Sequence, residues 1–314
     1  MSKLGWKPGR LICIGECMVE LARCSDGRFA LSYGGDTFNT AVYLARSRSA
    51  ISYATALGDD PYSAGIIATA KREGINTDLV RIVPGRTVGL YLVETNHAGE
   101  RSFWYWRDSA PARELFDGLY DCTLAESLSE AALVYFSGIT LSLYSGTGLD
   151  RFEAALQAAK AHGTHVAMDS NFRPRGWGGD KVRTQNVFRR FWGLCDIALP
   201  TLDDEKTLWG DATSEAVLGR LKAFGIAEVV IKNGADGALV ASDGAPVHVA
   251  CPQRVEPVDT TAAGDAFNAG YLRARINGVP GPEAALAGHR LAAVVIQHRG
   301  AIVPREATAS FFAS

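Results

Sequence analysis

Apolar positions along the chain follow two periods. Short apolar runs bounded by glycine or polar residues predict strands at Leu11–Gly15, Ile51–Ala56, Leu133–Ser137, His165–Asp169, Asp196–Leu199 and Val229–Lys232. Between them the spacing turns helical. In Thr37–Arg48, for example, Phe38, Ala41, Val42 and Ala45 fall on one helical face. Further helices are predicted at Pro61–Glu73 (closed by Gly74), Ser145–His162, Asp180–Gly193, Ser214–Phe224, Ala263–Asn277 and Pro282–His298. Strands alternating with helices of this length predict an α/β fold with a mostly parallel sheet flanked by helices.

One region breaks the rhythm. Val88–Glu94 and Arg101–Arg107 read as two strands, with Thr95–Gly99 as their turn. Alternation puts Tyr105 and Arg107 on one face and Trp104 and Trp106 on the other. That split suits a ligand face backed by an interface face, and ordinary half-buried packing is the plain alternative. ALVAS and PVHVA read as a second hairpin about Asp243-Gly244. Without a repeat or a low-complexity linker, residues 1–314 read as one domain. In an open parallel sheet, ligands gather beyond the carboxyl ends of the strands. The segments to watch are therefore Gly34-Gly35-Asp36, Asn171–Arg175, Thr201–Glu205, Asn233–Gly237 and the motif Val258–Gly270.

Composition narrows the function classes. Of 314 residues, 47% are hydrophobic and 21% charged, and the formal net charge is −2. This is a globular composition that does not point to nucleic acid as a partner. No apolar run is long enough to span a bilayer, and the start lacks a secretory leader, so no membrane association and a cytoplasmic location are expected. The six cysteines show no CxxC spacing and the six histidines are scattered. Reduced thiols are expected, and no structural metal site.

The stretch VDTTAAGDAFNAG carries the strongest chemistry. A helix starting near Ala263 would leave its first N–H groups free for an anion, with small side chains allowing close approach. Asp265 beside that site could accept a proton from an attacking hydroxyl; a first-turn carboxylate serving only the helix dipole is the competing reading. No GxxxxGK[ST] loop exists, nor a GxGxxG after a strand. Gly34 and Gly35 with Asn39 could bind a polyol, or form a turn and helix cap. Arg107 and Arg173 could each grip a carboxylate or make a surface ion pair. Tyr91 and Tyr105 could wall a pocket.

These motifs together resemble the ribokinase (PfkB-type) sugar kinases. Asp259–Asp265, DTTAAGD, is similar to that family's DTxGAGD motif, and Gly34-Gly35 with Asn39 to its glycine-rich sugar motif. LICIGE, Lys232-Asn233-Gly234 with Gly237, and Arg299-Gly300-Ala301 extend the resemblance over nearly the whole chain. GGDTFNTA, GERSFWYWRDSAPAREL, DSNFRPRGW and LPTLDDEKTLWGD resemble the branch that phosphorylates 2-keto-3-deoxygluconate on its 6-hydroxyl. The resemblance implies a ribokinase-like fold with a small β lid, built from about 16–35 and 87–110, that often forms a dimer contact.

It also implies roles. Asp265 would be the base, and Ala262, Ala263 and Gly264 would offer amides to the phosphoryl group. Gly34, Gly35, Asn39, Tyr91, Tyr105, Arg107 and Arg173 would hold the sugar acid. Lys232, Gly234 and Gly237, with Gly264, would line the ATP. Mg2+ would bridge the ATP phosphates without a direct protein ligand, supported through water by Asp204 or Glu205, and a monovalent cation is left open. Three departures stand out: Ala262 for the family's first glycine, Thr37 for a small residue, and Thr201-Leu-Asp-Asp204 for NxxE. The competing functions are a fructokinase or other neutral-sugar kinase, and a non-catalytic sugar-binding regulator.

Overall fold

The computed structural model describes residues 5–24, 26–95, 101–242 and 244–313. Among the described residues thirteen strands form two sheets: β1 (Leu11–Ile14), β2 (Met18–Arg23), β3 (Phe29–Gly34), β4 (Ile51–Gly58), β5 (Val80–Val83), β6 (Leu90–Thr95), β7 (Arg101–Trp106), β8 (Leu133–Ser137), β9 (His165–Asp169), β10 (Ile197–Ala198), β11 (Glu228–Lys232), β12 (Ala238–Ala241) and β13 (Val247–Val249). The large sheet has nine strands in the order β13-β12-β11-β10-β9-β8-β1-β4-β5. It is parallel except where β11, β12 and β13 pair antiparallel at one edge.

Its central strands are buried on both faces, which explains their unbroken apolar runs. Leu11 and Cys13 enter one core with Tyr53 and Phe267. Ile12 and Ile14 enter the other with Phe136, Phe152 and Phe191. No helix among the described residues is long and apolar enough to cross a membrane. All six cysteines are free thiols.

The small sheet runs β3-β2-β6-β7. Its register puts Glu20, Tyr91 and Tyr105 in one row across three strands. Leu31, Leu21, Leu92 and Trp104 make the row on the opposite face. The first face holds a buried cluster of Met18, Tyr91 and Val93 with Phe103 against it. On the other, Trp104 is 49% and Trp106 61% exposed, and Phe29 and Leu31 are exposed too. The turn expected at Thr95–Gly99 lies, beyond Thr95, outside the described residues, as does Asp243.

Periodicity missed some elements. β2 was hidden because Glu20 interrupts its apolar alternation, and that buried carboxylate takes hydrogen bonds from Tyr91 and Ser32. β5 is a four-residue edge strand, too short to show a period. The Thr201–Glu205 segment is not only loop, because a helix begins at Leu202 and runs to Trp209. Asp203, Asp204 and Glu205 fill its first turn, where carboxylates suit the helix dipole, and Gly210 closes it at φ 86°.

The helix Ala263–Ile276 carries Asp265 and is firmly seated. Its Gly270 lies so close to the Gly281–Val295 helix that an added Cβ would come within 2.9 Å of the Ala287 carbonyl. At its far end Arg275 pairs with Glu228 at 2.6 Å, both fully buried, and Tyr271 also donates to Glu228 at 2.6 Å. A helix fixed at its middle and its far end holds its first turn in one place.

Candidate active site

The first turn of that helix forms the floor of a cavity of about 810 Å3 beneath the small sheet. Ala262 caps the helix in the left-handed region at φ 60°. Only three non-glycine residues adopt positive φ among the described residues, and the other two are Arg48 and Asn171. The position thus keeps the conformation a glycine would favour, although alanine pays about 1–2 kcal/mol for it. The cap carries no side-chain hydrogen bond to the helix. The Ala263 amide donates to the Thr260 carbonyl at 3.2 Å, so the anion site falls to the amides that follow it, from Gly264 on.

Asp265 is buried, and its carboxylate accepts from Asn39 Nδ2 at 2.8 Å. Burial is the main cause that pushes its carboxyl up to about 8. The nearby Asp36 and Asp169 add to the rise, while Asn39 and Lys232 oppose it. Asp36 is itself raised, mainly by burial, and accepts from Asn171 Nδ2 at 2.8 Å. The other acid of the opening stretch has a different job. Asp259 accepts from the Thr261 amide at 2.8 Å and the Gly300 amide at 2.7 Å, tying the loop to the chain's last segment.

The expected sugar-binding residues converge on this cavity. Gly35, Asn39, Tyr91, Tyr105, Arg107 and Arg173 line it. Gly35 must be glycine, since a Cβ there would lie 2.0 Å from the Glu16 carbonyl. Gly34 is not part of the wall but sits one residue behind. A Cβ there would meet the Tyr91 hydroxyl at 2.6 Å, where Tyr91 reaches Glu20.

Each cation in the cavity already faces a carboxylate. Arg107 pairs with Glu16, whose side chain is fully buried. Arg173 pairs with Asp204 at 3.2 Å. Lys232 pairs with Asp169 at 2.8 Å and also donates to Asn268 Oδ1 at 3.0 Å. Asp36 and Asp265 accept from side-chain amides, not from a cation, and the charge of Asp36 adds to the rise of Asp265.

A second cavity of about 540 Å3 adjoins the first, sharing Thr201, Lys232, Thr260, Ala263 and Gly264 with it. Gly234 and Gly237 line this one, beside Val255, Phe267, Ala292 and Ile296. Gly237 has φ 98°, and a Cβ there would come within 2.2 Å of the Val249 carbonyl. Lys232 and Gly264 thus stand at the junction of the two spaces, with Lys232 Nζ 3.6 Å from where a Gly264 Cβ would be.

Of the two acids left open by the sequence, Asp204 lines the first cavity. Glu205 turns away. It is fully buried, paired with Arg220, and raised to about 7, chiefly by burial. Among the described residues no group of three or more His, Cys, Asp or Glu could hold a metal alone.

Sequence reasoning left out Glu16, Glu20, Asp169 and Asn268. Asp169 had a signal, as the last residue of a parallel strand. Asn268 had one too, a polar residue one turn after Asp265 on a helix otherwise buried there. Glu16 and Glu20 gave none, because nothing local says which basic or phenolic group each will meet.

Comparison with known proteins gives the same frame. The family model described as pfkB family carbohydrate kinase matches residues 9–308. The 2-dehydro-3-deoxygluconokinase of Dickeya dadantii (strain 3937) is 41% identical over 302 residues, covering 94% of this chain and 96% of that protein. The enzyme of the same name from Escherichia coli (strain K12) is 40% identical, covering 95% of this chain and 98% of its own. Among solved structures, 2-dehydro-3-deoxygluconokinase from Thermotoga maritima superimposes with a TM-score of 0.82 at 22% identity, covering 98% of this chain and 99% of that one. Fructokinase from Vibrio cholerae O395, bound to fructose, ADP and calcium, gives 0.83 at 24% identity, covering 97% and 98%. The fold is therefore ribokinase-like, and since the family match runs almost from end to end, this chain belongs to the pfkB family of carbohydrate kinases.

Proposed function

We propose that this kinase transfers the γ-phosphoryl group of ATP to the 6-hydroxyl of 2-keto-3-deoxygluconate (2-dehydro-3-deoxygluconate). The observation that carries the reading is one cavity in which two arginines face a buried carboxylate at a helix N-terminus. The relatives at 40–41% identity carry the name of that activity.

The roles follow from chemistry. Asp265 accepts the proton of the 6-hydroxyl as its oxygen bonds to the γ-phosphorus, and the bond from phosphorus to ADP breaks in line. The Gly264 amide, after the Ala262 cap, stabilises the charge on the phosphoryl oxygens, while the Ala263 amide, bonded to the Thr260 carbonyl, closes the turn behind it. Arg107 and Arg173 grip the sugar's carboxylate, and Asn39, Tyr91 and Tyr105 hold the rest. The second cavity suits a nucleotide: apolar side chains would cover a base, and its Gly237 corner leaves no room for a Cβ. Mg2+ would neutralise the phosphate charge, and Asp204 and Asp169 are the cavity carboxylates that would help hold it.

The test is initial-rate ATP consumption with 2-keto-3-deoxygluconate, its galactonate epimer, fructose and ribose. A kcat/KM for the first at least about tenfold above fructose is expected; the reverse order would make this a neutral-sugar kinase. Absence of any sugar-dependent ATP use would leave a binding protein.

The small sheet serves in this reading as a lid that excludes water during transfer, within a single kinase domain. Its outer face, with Leu31, Trp104 and Trp106, supports a homo-oligomer through that sheet, since exposed patches of this kind mark interfaces. Light scattering should give a multiple of the 33.6 kDa chain mass, and Trp106→Lys should give the monomer. A monomeric wild type overturns it. The free thiols accord with the cytoplasm as its compartment.

A further inference from the structure

Three cation–carboxylate pairs occupy the sugar cavity, and they are not alike. Arg107 is closed against the buried Glu16, and Lys232 against the buried Asp169. Arg173 is different: its side chain is 55% exposed while that of Asp204 is only 17% exposed. Arg173 also donates to the neighbouring Phe172 carbonyl at 2.9 Å, and Asp204 accepts from the Phe172 amide at 3.2 Å. Burial raises the Asp204 carboxyl, and Arg173 is first among the groups that oppose the rise. The arginine is thus free to leave, while the carboxylate depends on it.

We propose that Asp204 is a positioning residue for sugar-acid specificity, holding Arg173 in reserve and passing it to the substrate carboxylate. This rests on the sugar-acid kinase reading above. For Arg173 the exchange trades one carboxylate for another, so its own interaction changes little. Asp204 bears the cost, because a part-buried carboxylate stripped of its partner is left less well compensated. A divalent cation near Asp204 relieves that cost. Sugar acid and cation therefore favour each other's binding, and by linkage the effect is reciprocal. A neutral sugar cannot take Arg173 and gains nothing from the cation. The exchange thus adds discrimination that a permanently free arginine would not supply.

The test is calorimetric titration of 2-keto-3-deoxygluconate into the full chain with ADP, in MgCl2 or in EDTA. Wild type should bind at least about fivefold tighter with Mg2+, the lower end of usual coupling. Asp204→Asn should bind the sugar acid more tightly than wild type in EDTA, and the Mg2+ dependence should vanish. Arg173→Gln should weaken the sugar acid and also lose the Mg2+ dependence. In Asp204→Asn/Arg173→Gln the tightening should disappear, which separates hand-over from a mere change of cavity charge. The inference is overturned if Asp204→Asn binds no tighter in EDTA, or if its tightening survives without Arg173. Fructose should show no Mg2+ dependence in any variant. Should wild type bind fructose and not the sugar acid, the functional reading falls and this inference with it. Sugar-acid binding that ignores Asp204 defeats the inference alone.

Discussion

Asp265→Asn is expected to turn over about 10²–10⁴-fold more slowly than wild type, the usual contribution of a general base, while melting at a higher temperature. Asparagine keeps an oxygen for the Asn39 amide, so the loss isolates proton acceptance. The stability gain comes from the same burial that raises the carboxyl to about 8. An unfolded aspartate ionises near 3.9. The folded state therefore holds this proton more tightly than the unfolded chain. The associated stability is complete below about pH 4 and is lost as pH rises through about 8. Asparagine has no proton to lose, so its advantage should widen between pH 6 and pH 9. About 1 kcal/mol corresponds to roughly 2 °C in a domain of this size. Scanning calorimetry at both pH values checks this. In wild type, kcat/KM for the sugar should rise with pH until Asp265 is ionised, because that ratio reports the free enzyme. A variant within tenfold of wild type, or one that melts lower at pH 9, contradicts the assigned role.

Arg107→Ala should produce the second large effect, and it has two parts. Losing a charge-assisted hydrogen bond of about 1.5–3 kcal/mol raises the sugar-acid KM by about ten- to a hundredfold. Fructose, without a carboxylate, should respond little. The substitution also leaves the buried Glu16 without its cation, which typically costs about 3–5 kcal/mol. Glu16 is already raised by burial, with Arg107 the first group opposing the rise. Removing the arginine therefore raises Glu16 further, and the stability deficit should shrink as pH falls and the carboxyl takes a proton. Glu16→Gln/Arg107→Ala separates the parts: thermal stability should return while the sugar-acid KM stays high. Recovery of both would make Arg107 a structural partner of Glu16 and nothing more.

These predictions also mark how far the sequence could be read. Strands β8 and β9 were legible to the residue, because a parallel strand buried on both faces must be one apolar run. The helix at Ala263 was legible for the same kind of reason, with small residues and a first-turn acid marking its start. β2 was not, since its Glu20 faces inward to partners that no local pattern names. Gly34 and Gly35 looked alike in sequence. Only the approach of Tyr91 to one and of the Glu16 carbonyl to the other gives them separate tasks. Asp204 and Glu205 are neighbours with the same chemistry. Helical geometry turns one toward the cavity and the other into the core against Arg220.

The sequence by itself determined the layered α/β plan, the hairpin that forms half of the small sheet and the stretch that carries Asp265, because periodicity and small-residue motifs are local properties of the chain. What only the tertiary structure decided is charge pairing. Asp265 meets Asn39 across 226 positions of sequence, and Lys232 meets Asp169 across 63. Burial and neighbouring charge set the ionisation of each group, and both depend on which distant segments the fold packs together.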